Sequence, residues 1–271
     1  MTQTKEEKTR ETGDAYLVAS VERAAQLLLI ISEMPGSGVT ELASATGMTK
    51  SLTFRLLYTL ESQGLVRKNA ERRTYALGYS ALILGERARR QSPLIATAED
   101  VLAALSSKTR ENALLLVRDG LSSMCIGMKE SPQPLRIFAS VGRAGPLHAG
   151  GGPKVLLAFA PEDVRETVLS SPLEAFTDET IVAPGALEAS LARIRRDGQT
   201  LSVGELDPNT FSIAAPVRDH SGTVVAALSV NGPTARLDPA SEQDFLREVL
   251  DHAVQLSRRL GWAGPDAAVL R

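Results

Sequence analysis

Residues 39–77, VTELASATGMTKSLTFRLLYTLESQGLVRKNAERRTYAL, limit what this chain can fold into more than any other segment. Within residues 49–64, Thr53, Leu56, Leu57 and Leu60 recur at i, i+3, i+4 and i+7, which predicts a helix with one buried stripe. Lys50, Ser51, Phe54, Arg55 and Tyr58 fall towards its other side. Thr49 suits the N-cap, and Gly64 suits the left-handed residue that stops a helix. Upstream, Thr40 can cap a short helix over residues 41–45, and Gly47 stands at the bend, where a helix-turn-helix needs a residue that tolerates unusual φ. Val21, Ala24, Leu28 and Ile31 predict a third amphipathic helix, because two short helices cannot bury a core alone.

Beyond Gly64, Leu65 and Val66 begin a strand, residues 69–73 form a turn, and residues 74–77 return as a second strand. Together they make a wing. Residues 49–75 hold six basic side chains, Lys50, Arg55, Arg67, Lys68, Arg72 and Arg73, against Glu61 and Glu71, a local balance of +4 in a chain of net charge −2. Positive charge concentrated there fits the phosphate backbone of a DNA duplex. A solvated basic face would explain the charge, but not the order helix, turn, helix, basic hairpin. Groove chemistry then divides the roles. Lys50, Ser51 and Arg55 face base edges in the major groove, Thr49, Phe54 and Tyr58 the sugar-phosphate wall, and Arg67, Lys68, Arg72 and Arg73 the adjacent phosphates or minor groove.

With 271 residues, 43% hydrophobic and 23% charged, the chain is long enough for two domains with separate cores. No apolar run approaches the ~20 residues that span a bilayer, and the first residues, MTQTKEEKTRETGD, are polar, unlike a signal sequence. The reading is a disordered arm at 1–15, a DNA-binding domain at 16–79, a linker helix at 80–92, an effector-binding and oligomerisation domain at 93–262 and a tail at 263–271. The cytoplasm is the expected compartment. The single cysteine, Cys125, excludes an intramolecular disulfide or a Cys-based zinc site and reads as a small buried hydrophobe within MCIGM.

Residues 81–271 carry 20 basic and 23 acidic side chains, so the second domain is not built for nucleic acid. Its pattern predicts a helix at 94–108, strands near 113–118, 124–128 and 135–141, and helices near 153–159, 161–169 and 184–197. Strands at 212–217 and 224–231 pair across Asp219-His220-Ser221-Gly222, and a helix at 242–260 follows. Such interleaving is α+β with an antiparallel sheet. Met124, Ile126, Leu135, Ile137 and Phe138 could line an apolar wall, but strand residues of this type are more often core.

The segments LASATGMTKSLTFRLLYTLESQGLV, GPLHAGGGPKVLLAF and FSIAAPVRDHSGTVVAALSVNGP, in this order and spacing, resemble the IclR family of bacterial transcription regulators over residues 17–260. The resemblance implies a winged helix-turn-helix, a linker helix and a C-terminal GAF-like domain with a curved antiparallel sheet. It also implies homodimers, often paired into tetramers, that bind operator DNA, with repression a commoner outcome than activation. The implied effector is a small metabolite, commonly an organic acid. The family's loop-to-helix motif, which usually reads like LHATASGKALLA, corresponds to residues 147–158, LHAGGGPKVLLA, and implicates His148, Gly150, Gly151 and Gly152. Consecutive glycines ahead of a helix let N–H groups approach a carboxylate, although glycines alone also make an ordinary turn. Facing them, the family register brings Ser202, Ser212, Ser229 and Asn231. Better-known members often have an acidic residue at the first of these and a cysteine at the second, so serines at both put the ligand class in question. His148 has a structural alternative, bonded to neighbouring backbone.

The competing reading is a metabolite-binding or hydrolytic enzyme whose N-terminal helices serve only assembly. The sequence supports it weakly. His148, His220 and His252 stand in no catalytic motif, with His220 in a turn and His252 in a helix both expected to face solvent. The carboxylates lack metal-ligand spacing, so no catalytic residue, metal or cofactor is expected.

Overall fold

The computed structural model describes residues 16–137 and 139–265, so the arm expected at 1–15, Phe138 and residues 266–271 of the expected tail lie outside it. The chain divides between Gln91 and Ser92 into two units.

The first unit contains α1 (Ala19–Glu33), β1 (Ser37–Gly38), α2 (Val39–Thr46), α3 (Lys50–Ser62), β2 (Val66–Asn69), β3 (Thr74–Leu77) and α4 (Tyr79–Gln91). The Thr49 hydroxyl accepts the Leu52 N–H at 3.3 Å, capping α3, and both Gly47 and Gly64 have positive φ. One face of α3 is buried through Thr53, Leu57 and Leu60, and the core is completed by Leu27, Ile31, Leu42, Val66 and Tyr75. Two expectations need correction. Helix α2 starts at Val39, with Gly38 and not Thr40 as N-cap, and the Gly38 N–H donates to Glu41 Oε2 at 2.7 Å. In α1 the fully buried residues are Leu27 and Ile31, whereas Val21, in the first turn, is covered by nothing described and is exposed.

Strands β2 and β3 pair antiparallel from Val66↔Leu77 to Asn69↔Thr74, and β1 adds to the other edge of β3. Gly78 then brings the chain hard against the end of α3. Its N–H donates to the Leu65 carbonyl at 2.8 Å, and a Cβ there would lie 2.1 Å from the Gly64 oxygen. This approach fixes where α4 leaves the wing. Helix α4 has no buried residue.

The second unit contains α5 (Pro93–Thr109), β4 (Asn112–Asp119), β5 (Ser122–Lys129), β6 (Ala144–Pro146), α6 (Gly151–Ala158), α7 (Glu162–Ser170), α8 (Pro184–Asp197), β7 (Thr200–Val203), β8 (Thr210–Arg218), β9 (Val224–Pro233) and α9 (Pro239–Arg259). The strands form one antiparallel, curved sheet in the order β6-β5-β4-β9-β8-β7, with bulges at Leu115/Leu116 and Val217/Arg218. Ile213, Ala215, Leu228 and Val230 pack with α5 and α9 on one face, while Ala214 and Ala227 pack with α6 and α8 on the other. Both faces are covered at the centre, which is why β8 and β9 are nearly all apolar instead of alternating.

Among the described residues of 135–141 no strand forms, contrary to expectation. Pro132 and Pro134 precede the segment, and side chains satisfy its carbonyls in place of a ladder: Asn112 Nδ2 donates to Ile137 O at 3.0 Å and Arg236 to Leu135 O at 3.1 Å. The chain joins the sheet later, at β6, where Ser122–Met124 pair with Ala144–Pro146. Leu135 is exposed rather than core. Helix α9 begins at Pro239, before the expected 242, because Asp238 caps it by accepting the Ala240 and Ser241 N–H groups. His252 faces inward, not solvent: it is buried, and its Nδ1 donates to the Glu248 carbonyl at 2.7 Å.

Candidate functional site

On the first unit, Thr49, Lys50, Ser51, Phe54, Arg55 and Tyr58 are all exposed on α3, opposite its buried stripe. Phe54 and Tyr58, one turn apart, are 49% and 68% exposed, unusual for aromatic rings on a helix whose other face is core. On the wing, Arg67, Lys68, Arg72 and Arg73 are exposed as well. The tip is built for this display. The Arg72 N–H donates to Asn69 Oδ1 at 3.0 Å, and Arg73 takes φ +54 to turn the chain, so guanidinium groups occupy a structured turn. Lys68 Nζ lies 5.9 Å from the Tyr75 ring centroid.

The second unit holds a cavity of about 100 Å³ over the sheet, roofed by the irregular segment before β6 and by the β7–β8 loop. Its walls include Leu114, Leu116, Cys125, Ile137 and Phe211. Burial pushes the Cys125 thiol up to about 11, so the sulfur stays protonated and behaves as part of the apolar wall. One row of polar side chains crosses that wall. Ser202 on β7 is the cross-strand partner of Ser212 on β8, which in turn pairs with Asn231 on β9. Ser212 Oγ is buried and has no hydrogen-bond partner among the described residues. Asn231 Oδ1 accepts from Ser229 Oγ at 2.8 Å, which leaves the Asn231 amide N–H₂ as the remaining donor.

Of the eight residues expected at an effector site, Gly150, Ser202, Ser212 and Asn231 line this cavity; His148, Gly151, Gly152 and Ser229 do not. His148 is buried, donates from Nε2 to the Glu174 carbonyl at 2.9 Å and packs its ring 5.7 Å from that of Phe176, so it anchors the loop before α8. The two glycines permit close packing at the start of α6. A Cβ on Gly151 would lie 2.6 Å from the Ser212 carbonyl oxygen, and one on Gly152 would lie 2.9 Å from Leu116 Cδ1. Ser229 is fully buried behind the row and serves to orient Asn231.

Two charged residues that the sequence reading passed over stand at the same place. Lys154, on α6, is 2% exposed and forms an ion pair with Glu205 Oε1, while Glu205 Oε2 accepts the Gly150 N–H at 3.1 Å. The protein's own carboxylate therefore occupies the start of the glycine-led helix, where helix dipole and N–H groups favour an anion. Thr180 Oγ1 holds the Glu205 carbonyl at 2.7 Å. The available signal was a lysine inside an otherwise apolar helical run, GGPKVLLAF, which demands a buried counter-charge. Nearer solvent, Arg143 and Asp207 approach to 3.9 Å at the cavity edge. Among the described residues no group of three or more His, Cys, Asp or Glu could hold a metal.

The family described as "Bacterial transcriptional regulator IclR C-terminal" matches residues 87–258, and the one described as "IclR helix-turn-helix domain" matches residues 20–70. The chain belongs to the IclR family. Among IclR-family relatives, the HTH-type transcriptional regulator BhcR of Paracoccus denitrificans is 32% identical over 245 residues, covering 90% of this chain and 88% of that protein. Transcriptional repressor IclR of Escherichia coli K12 is 30% identical over 248 residues, covering 90% of each. The crystal structure of an IclR transcriptional regulator from Alicyclobacillus acidocaldarius superposes with a TM-score of 0.84 at 29% identity, covering 91% of this chain and 100% of that one. These IclR-family relatives are named as regulators of transcription, and the helix-turn-helix match makes DNA the partner of the first unit. Among the described residues no helix is long and apolar enough to cross a membrane.

Proposed function

We propose that this protein is a cytoplasmic transcriptional repressor that binds operator DNA as a two-fold dimer and changes its DNA affinity when a small metabolite enters the cavity of the second unit. The observation that supports it most is the exposed, basic and aromatic face of α3 continued by the four cations of the wing. The name of the Escherichia coli relative favours repression over activation. Dimerisation is supported by apolar surface that nothing described in the first unit covers: Leu17 and Val18 just before α1, Val21 and Leu29 along it, and Tyr79, Leu82, Ile83 and Leu84 along α4. The effector acts only through its differential affinity for the two DNA-binding arrangements, so saturating effector must change DNA affinity by the same factor as DNA changes effector affinity.

A mobility-shift titration against the DNA next to its own coding region tests the reading. Specific, salt-sensitive binding is expected, and absence of any sequence preference would sink it. Within that assay Arg72→Ala is expected to weaken binding to all sequences and lower the salt slope by roughly one, whereas Lys50→Ala shifts which bases are preferred.

A further inference from the structure

We propose that the cavity takes an uncharged ligand of about four to six non-hydrogen atoms, with an apolar body and a carbonyl, hydroxyl or primary amide at its polar end, in place of the free carboxylate that the family resemblance implies. The inference rests on the reading of this cavity as the effector site.

Size comes first. A cavity of roughly 150 Å³ holds benzene, so about 100 Å³ is enough to seat a body of this length, its far end towards the open mouth. Charge comes next. The ionised groups of the site are already paired in opposite signs, Glu205 with Lys154 and Asp207 with Arg143, so the walls present no net positive charge. An incoming carboxylate would lose its hydration against apolar side chains and meet two carboxylates already in place. The Gly150 N–H at the start of α6 is already donated to Glu205. What the cavity offers is a row of neutral donors. The Ser212 hydroxyl is buried with no partner among the described residues, Ser202 stands beside it across β7 and β8, and Asn231 contributes an amide on the next strand. A buried hydroxyl left unpaired is costly, and one ligand oxygen placed against the row would satisfy it without bringing a charge.

The experiment uses the full-length protein and isosteric pairs that exchange a neutral amide for a carboxylate, isobutyramide against isobutyrate and propionamide against propionate, measured by calorimetric titration near pH 7. Each amide is expected to bind at least about tenfold more tightly than its carboxylate. Ser212→Ala removes a hydroxyl that has no hydrogen-bond partner among the described residues, so the thermal transition should hold while amide affinity falls about fivefold. Equal or tighter binding of the carboxylates overturns the proposal, as does absence of amide binding or an amide affinity untouched by Ser212→Ala. Operator binding is measured separately, so a carboxylate preference together with specific DNA binding rejects the ligand class and leaves the regulator reading standing.

Discussion

Glu205→Ala is expected to destabilise the second unit by roughly 3–5 kcal/mol, the cost of stranding a buried charge. Lys154 is 2% exposed and sits within α6 among Val155, Leu156 and Leu157, all buried, so its ammonium relies on Glu205 for its counter-charge. The same substitution removes the acceptor of the Gly150 N–H, and that group is buried too. A net stabilising role for the pair does not follow, because desolvating two ions offsets most of their attraction. The distinction is measurable. Lys154→Met combined with Glu205→Gln removes both charges, keeps an oxygen in reach of Gly150 and conserves volume, so it should recover most of the stability lost by Glu205→Ala. Chemical denaturation followed on the second unit is the measurement. A loss under about 1 kcal/mol for Glu205→Ala, the range of surface pairs, would mean that water reaches Lys154 and that the site is more open than its packing indicates.

Residues that declare themselves locally were the ones legible in the sequence. The Thr53, Leu57 and Leu60 stripe, the Thr49 cap and the turn glycines Gly47 and Gly64 each depend on neighbours within a turn or two, and α3 stands where they place it. The α+β antiparallel architecture also follows from periodicity. The failures lie where distant chain decides. Apolar residues at 135, 137, 139 and 141 mimic a strand, yet Asn112 and Arg236, far away in sequence, take the carbonyls a ladder would use. Strand β7 is four residues long at the sheet edge and gives too short a pattern to see. In the candidate site, Ser202, Ser212 and Asn231 were reached through the family register, and they form one cross-strand row. Gly151 and Gly152 were read as an anion cradle because glycine before a helix permits one. On their Cβ side both glycines pack closely, against the β8 backbone and Leu116, and the carboxylate that accepts the Gly150 N–H comes from Glu205, fifty-five residues beyond it. Local sequence gives what a segment can do, and the tertiary partner decides which of those options is used.

Raising monovalent salt from 50 to 200 mM is expected to weaken specific operator binding by about 10³–10⁵-fold. The number follows from charge placement. Each winged unit exposes Lys50, Arg55, Arg67, Lys68, Arg72 and Arg73, and two units in a dimer need only half to most of these on phosphates to make the 6–10 contacts that such a slope requires. Chain-wide charge works against the effect, since the net value is −2, so a steep slope needs cations gathered locally, as they are at the helix and wing. Arg73→Gly isolates the wing. Arg73 holds φ +54, a left-handed conformation that glycine adopts without strain, so the variant should fold at least as well as the parent while losing one cation per protomer. Its slope should therefore fall by roughly one for each wing engaged, with sequence preference intact because base edges are read from α3. Filter-binding isotherms across the salt range supply the slope for both proteins. If Arg73→Gly binds with the parent's slope, the wing tip does not touch phosphate, and if the parent's slope is itself flat, neither α3 nor the wing lies on the duplex.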